Sequence, residues 1–225
     1  MGSMLPSQTV ENYLKTIYLA QLAREENELV PMGHLATSLG VVPGTATTMV
    51  KTLAESGLVH YEPYMGVRLT KAGETLASLV LRRHRLIELF LVKMLGMSWA
   101  EVHDEAERLE HAVSERLIDR IDEMLGRPAV DPHGDPIPTA DGTLAHTDYL
   151  SLMTGPMHVP LTVTRVIDQD AAFLRFLEQR HITPGSSVVI EAREEAADAV
   201  LIRPSGADSV TMGQRAAASV LVTRR

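Results

Sequence analysis

The sequence predicts a mainly α-helical chain with small β elements: an N-terminal winged helix-turn-helix, a helical middle and a C-terminal β-barrel-like domain. Three observations carry this. Two short helical stretches flank a glycine turn and run straight into a hairpin pattern. A long 3.6-residue apolar period starts at Thr70 and is followed by two shorter ones. From Leu161 the texture changes to short β segments.

Taken in order, apolar residues recur at Val10, Tyr13, Leu14, Ile17, Tyr18 and Leu22, a helix over Thr9 to Ala23. Beyond a Glu-rich stretch at 25–28, Pro31 opens a second helix through Leu39, closed by Gly40. Pro43 starts the third, Gly44 to Ser56, ended by Gly57. Leu58–Tyr61 and Val67–Thr70 read as strands about a turn at Pro63–Gly66, a wing. The long helix runs from Thr70 through Val92. Ser98-Trp99-Ala100-Glu101 reads as a capping box for a helix to about Val113, with another from Ser114 to Gly126. A connector rich in Pro, Gly and Asp covers 127–160. Strands follow around 161–167, 187–193, 199–203 and 209–212, interrupted by one helix, Asp170–Arg180. The expected domains are 4–72, 73–142 and 161–225, with a linker at 143–160. Met1-Gly2-Ser3 reads as an expression scar ahead of a start at Met4.

The 225 residues suffice for two or three small domains with real cores, and 45% hydrophobic with 22% charged residues argues against disorder. No apolar run is long enough to span a bilayer and no signal peptide is visible, so a cytoplasmic protein without a membrane partner is expected. Zero cysteines exclude disulfides and thiolate metal sites. A net charge of -8 argues at first against a nucleic-acid binder, but the acidity is local. Residues 1–85 carry 8 Lys/Arg against 7 Asp/Glu, residues 86–142 carry 5 against 13, and the remainder 8 against 9. The N-terminal module is free to approach phosphate, and the acidic middle is either a solvated face or a cation site.

Spacing decides for the cation site. With His103 as zero at 100° per residue, Glu107, Glu110 and His111 lie at about 40°, 340° and 80°, within one arc of about 100°. His84 and Glu88, four residues apart on the preceding long helix, also share a face. Imidazole and carboxylate without thiolate suit Mn(II), Fe(II), Co(II), Ni(II) or Zn(II) rather than Ca(II). The alternative is a hydrated acidic helix with incidental histidines. In the third helix Pro43, Gly44, Thr45, Thr47, Thr48 and Lys51 form a small, hydroxyl-bearing side suited to close approach to phosphate and base edges in a major groove. A protein-binding winged helix is the alternative there. Tyr64 and Arg68 in the wing are candidate backbone contacts.

On these residues the chain resembles the DtxR/MntR-type metal-dependent repressors. The resemblance rests on Glu11-Asn12-Tyr13-Leu14-Lys15-Thr16-Ile17-Tyr18, Arg83-His84-Arg85-Leu86 with Glu88, and Val102-His103-Asp104-Glu105-Ala106-Glu107 with Glu110-His111. His133-Gly134-Asp135-Pro136-Ile137-Pro138 supports it, and Val166 to Asp170, Phe173-Leu174 and Pro184-Gly185 resemble the family's SH3-like (FeoA-like) domain. The resemblance implies a helical metal-binding and dimerisation domain at 73–142 and an SH3-like β-barrel at 161–225. It implies an ancillary metal site of His84, Glu88 and His103, with Asp170 or Gln169 nearest to completing it. It implies a primary site of Asn12, Glu107, Glu110 and His111. Iron-responsive members carry Met and Cys where this chain has Asn12 and Glu107, and manganese-responsive members carry Asp and Glu. Hard oxygen donors favour Mn(II), with Fe(II) as the alternative and Co, Ni or Zn as substitutes.

The expectation is therefore a homodimeric repressor, not an enzyme, that binds a palindromic operator in double-stranded DNA when metal is plentiful and controls metal-homeostasis genes. A small-molecule-responsive winged-helix regulator without metal is one competing class. A metal-dependent hydrolase is another, though no His-Glu-x-x-His pair is present.

Overall fold

The computed structural model describes residues 7–25, 28–145 and 147–224. Met1 to Met4 and part of the Glu-rich stretch lie outside the described residues. The chain divides into two compact units, 1–84 with 138–144, and 85–137 with 145–225.

In the first unit, α1 (Gln8–Leu22) begins where the Ser7 hydroxyl accepts from the Val10 amide, an N-cap that satisfies one free helix-end donor. Its buried face is Tyr13, Leu14, Ile17 and Ala20, the period the sequence showed. α2 (Met32–Ser38) and α3 (Pro43–Glu55) form the helix-turn-helix, joined through Gly40 at φ +64. The wing follows as β1 (Val59–Glu62) paired antiparallel with β2 (Gly66–Leu69). Leu14, Ile17, Leu35, Ala46, Val50, Leu53, Val67 and Ala77 meet in one core. Each large side chain wholly buried there contributes about 1.5–3 kcal/mol. Residues 138–144 return to this unit, where the Arg82 guanidinium donates to the Pro138 carbonyl at 2.7 Å. α4 (Lys71–Leu95) is one continuous helix whose C-terminal half belongs to the second unit.

The second unit holds α5 (Val102–Leu109) and α6 (Glu115–Met124), which pack with α4 through Leu86, Ile87, Leu89, Val102, Ala106, Ile118 and Ile121. The expected capping box at Ser98–Glu101 does not form. Glu101 is the N-cap without a side-chain bond, and the Ser98 hydroxyl accepts from the nearer Ala100 amide at 3.2 Å. The reason is packing: Trp99 and Ala100 are drawn into the core of the C-terminal sheet, so 98–101 closes as its own turn. α5 also stops four residues short of Val113, with Glu110 as its C-cap.

The C-terminal part is a six-stranded antiparallel sheet in the order β3-β8-β4-β5-β6-β7. Its elements are β3 (Leu150–Ser151), β4 (Pro160–Val166), α7 (Ala171–Glu178), β5 (Ser187–Glu194), a 3-10 turn (Glu195–Ala197), β6 (Ala199–Pro204), β7 (Val210–Gly213), α8 (Gln214–Ala218) and β8 (Val220–Arg224). Among the described residues no pairing joins β3 to β7, so this is the small antiparallel sheet expected, without a closing pair of strands. β3 lies inside the stretch read as linker, and β8 with α8 was not foreseen. Alternate residues Leu161 and Val163 of β4, Val188 and Ile190 of β5, and Val220 and Val222 of β8 point into one core. Among the described residues no helix is long and apolar enough to cross a membrane.

Candidate metal centre and nucleic-acid interface

α4 positions His84 and Glu88 one turn apart, both buried. In the second unit the α5 imidazole of His103 meets Glu88, Nδ1 to Oε1 at 3.2 Å, from a half-exposed position. Glu110 is wholly buried and its carboxylate stands 3.3 Å from Nε2 of His111. Because α5 ends at Leu109, Glu110 keeps helical backbone angles at the C-cap while His111 sits in the following turn, off the regular wheel. Glu107 is half-buried one turn before.

The other carboxylate oxygen of Glu88 faces two residues that the sequence reading did not place in a site. Asp131 and His133 each bring a ligand atom to within 4.8 Å of Glu88 and of each other, and all three are buried. Nε2 of His133 lies 2.8 Å from the Trp99 carbonyl, which can only accept, so that nitrogen carries the hydrogen. Nδ1, the nitrogen left for a metal in the neutral ring, is buried without a hydrogen-bond partner among the described residues and lies 3.8 Å from Glu88 Oε2. A ring held by a backbone carbonyl on one nitrogen and offering the other is how metal-ligating histidines are oriented. Asp131 Oδ1 accepts the amides of His133 and Asp135 at 2.8 and 2.9 Å, a turn that aims the residues at Glu88. Burial, then the neighbouring Asp135 and Glu88, hold the Asp131 carboxyl well above its usual range, while Arg85 pulls it back in part. A cation among these groups would relieve that crowding. The signal in the sequence was Asp-Pro-His-Gly-Asp, which reads first as turn chemistry.

The same loop fastens the sheet. Val166 donates its amide to the His133 carbonyl at 2.8 Å, Arg165 pairs with Asp135 at 2.5 Å, and Gln169 donates to Asp135 at 2.7 Å. Gly134, at φ +85, is required: a Cβ would run into the Thr164 carbonyl. Asp170 caps α7, its Oδ1 accepting from the Ala172 and Phe173 amides at 3.0 Å each, which leaves Oδ2 for any further ligand.

In the first unit Asn12 is on α1, and its side-chain oxygen is buried with no hydrogen-bond partner among the described residues. Beside it Glu11 forms a buried ion pair with Arg83 of α4 at 2.5 Å. Each by itself, the amide oxygen of Asn12, the buried Glu110 carboxylate beside His111 and the imidazole nitrogen of His133 beside Glu88 are donor types that suit divalent cations with N/O ligands.

α3 carries the residues expected to face DNA. Pro43, Gly44, Thr45, Thr48 and Lys51 are exposed, and Thr47 is half-buried. Val42 caps this helix without a side-chain bond, so its N-terminal end is left for an external acceptor. The hydroxyls of Thr47 and Thr48 donate to the carbonyls of Pro43 and Gly44 at 2.8 and 3.0 Å. That turns each hydroxyl hydrogen inward and leaves oxygen lone pairs available outside.

Three family models match: the iron dependent repressor N-terminal DNA binding domain over 6–67, the iron dependent repressor metal binding and dimerisation domain over 70–139, and the FeoA domain over 152–224. The chain is 30% identical over 229 residues to the iron-dependent repressor IdeR of Mycobacterium leprae, covering 96% of this chain and 97% of that one. It is 37% identical over 131 residues to the diphtheria toxin repressor of Corynebacterium efficiens, covering 58% and 55%. A solved manganese-dependent transcriptional repressor in complex with manganese superposes with a TM-score of 0.86 at 40% identity, covering 96% of this chain and all of that one.

Proposed function

This chain belongs to the family of iron-dependent repressors, and from that premise we propose that Mn(II), with Fe(II) as the alternative, is the ion that switches it onto a palindromic operator. It is a metal-dependent, DNA-binding transcriptional repressor of metal homeostasis that acts as a homodimer and not as an enzyme. The observation that carries the metal reading is Glu110: a wholly buried carboxylate beside His111, in the most acidic third of the chain.

In this reading Glu107, Glu110 and His111 hold the regulatory ion and Asn12 supplies a fourth donor from α1. Glu88 and His103, with His84 on the same α4 face, hold an ancillary ion, to which Asp131, His133 or Asp170 adds a ligand. A bound divalent cation supplies two positive charges to the acidic segment. Asn12, recruited by its carbonyl oxygen, then fixes the first helix of the reading module, and Pro43, Gly44, Thr45, Thr47, Thr48 and Lys51 of α3 enter the major groove. Metal affinity and operator affinity rise together, because each favours the same arrangement. Every donor in these two sets is nitrogen or oxygen, and this hardness supports Mn(II) over softer ions. The protein acts in the cytoplasm, where its operator is.

The test is retention of operator DNA, selected from a random duplex pool, by the purified full chain with Mn(II), with Fe(II) under reducing anaerobic conditions, and with neither. Retention that needs Mn(II) or Fe(II) supports the reading. Equal retention in a metal chelator defeats it.

A further inference from the structure

Trp99 is the only tryptophan in the chain and lies in the turn 98–101 that joins α4 to α5. It is buried in the core that Leu161, Val163, Val166 and Leu174 of the C-terminal sheet domain form. Its indole stacks on the imidazole of His133, ring centroids 5.6 Å apart and planes inclined by 25°. The backbone carbonyl of the same residue accepts from Nε2 of that imidazole at 2.8 Å. One residue therefore touches His133 twice, through its ring and through its main chain.

Two features separate this from core filling. The indole Nε1 is buried without a hydrogen-bond partner among the described residues, although a buried tryptophan N–H usually finds one. An apolar side chain would fill a core with no N–H left unmet, and that unmet donor is a cost. Something other than volume keeps an indole here. The second feature is how completely His133 is held. Its carbonyl accepts the Val166 amide at 2.8 Å, and its own amide donates to Asp131 Oδ1 at 2.8 Å. With the backbone tied on both sides and the ring wholly buried against the indole, Nδ1 is fixed 3.8 Å from Glu88 Oε2. Of the aromatic faces, indole attracts a cation best, over centroid distances up to about 6 Å. An imidazole that shares the charge of a bound cation gains from that face more than a neutral one does.

We propose that Trp99 is a positioning residue for metal binding at Glu88. Its carbonyl sets the tautomer of His133, and its indole holds the ring and favours the charge that the ring takes up when Nδ1 coordinates. The C-terminal sheet, in whose core Trp99 is anchored, thereby helps to set the affinity of a centre on α4. This rests on the reading of Glu88 as a metal ligand and adds to it the residue that prepares its partner.

The experiment compares Trp99→Phe and Trp99→Leu with Trp99 retained, all in the full chain carrying Glu110→Gln so that the Glu88 centre dominates an isothermal titration with Mn(II). Affinity is expected to fall about tenfold in Trp99→Leu, and about threefold in Trp99→Phe, which keeps an aromatic face. The rise in melting temperature on adding Mn(II) shrinks in the same order. A residue that only fills the core would lower the metal-free and Mn(II)-loaded melting temperatures equally and leave the affinity unchanged. Nitrogen NMR of histidine-labelled, metal-free chain adds a readout that needs no metal. His133, assigned by its loss in His133→Gln, should be a neutral ring with its hydrogen on Nε2. A folded Trp99→Leu, or failing it Trp99→Phe, that binds Mn(II) as tightly as the chain with Trp99 overturns the proposal, and so does a hydrogen on Nδ1 of His133. Absence of any Mn(II) binding by the Glu110→Gln chain with Trp99 intact would instead defeat the reading of Glu88 as a ligand.

Discussion

Replacing Glu110 with Gln tests the regulatory site with little change of shape. The side chain is wholly buried and stands 3.3 Å from His111, so the substitution removes a charge where no water can replace it. Loss of a group that merely supports a metal ligand costs about 10–100-fold in metal affinity. Loss of the ligand's own charge should reach at least the upper end, about 100-fold or roughly 2.7 kcal/mol. At a Mn(II) concentration that half-loads the unaltered chain, the variant site would then be about 1% loaded. Operator retention at that concentration should fall to the level of the metal-free protein, a loss of about 5–150-fold if the coupling has the usual size. Because the new amide keeps the shape of the side chain, circular dichroism and dimer mass are expected to stay unchanged. The assay is isothermal titration with Mn(II) beside gel retardation over a Mn(II) series. A variant that binds Mn(II) and operator within about threefold of the unaltered chain would refute the placing of Glu110 at the switch.

Other substitutions probe the rest of the site. Asp131→Asn keeps the oxygen that accepts the His133 and Asp135 amides and removes the charge that burial, Asp135 and Glu88 disfavour. It should raise the melting temperature of the metal-free protein at neutral pH and lower its gain on adding Mn(II). Below the ordinary carboxylate range the difference should vanish, since the native Asp131, whose folded pKa is raised, is then protonated in both folded and unfolded states. Trp99→Ala removes the only tryptophan, buried in the sheet's core, and should cost about 3–5 kcal/mol in chemical denaturation of the second unit. His103→Ala should lower Mn(II) stoichiometry while sparing part of the operator affinity, read by equilibrium dialysis with metal analysis.

Periodicity made the helical frame legible because it reports burial directly: Leu14 and Ile17, and later Ile118 and Ile121, are core residues at helical spacing. Spacing also put Glu110 and His111 forward as partners, and they are adjacent in the structure. It did not show that α5 stops at Leu109 or that Ser98 caps nothing beyond Ala100. The missing cap follows from Trp99 being claimed by the distant sheet, and a local motif cannot reveal a tertiary competitor. Asp131 and His133 escaped for the opposite reason. Residues that make a tight turn look like turn residues, and only the fold brings the turn to Glu88, 43 positions earlier in the numbering. β3 is two residues long, and β8 follows a five-residue helix; neither leaves a period to read.

The most direct measurement is a crystal of the full chain grown in excess Mn(II), with anomalous diffraction recorded on both sides of the manganese edge. A peak bonded to Glu107, Glu110 and His111 and to the side-chain oxygen of Asn12 is the predicted result. Manganese peaks elsewhere, with those four side chains bonded to none, would contradict the account.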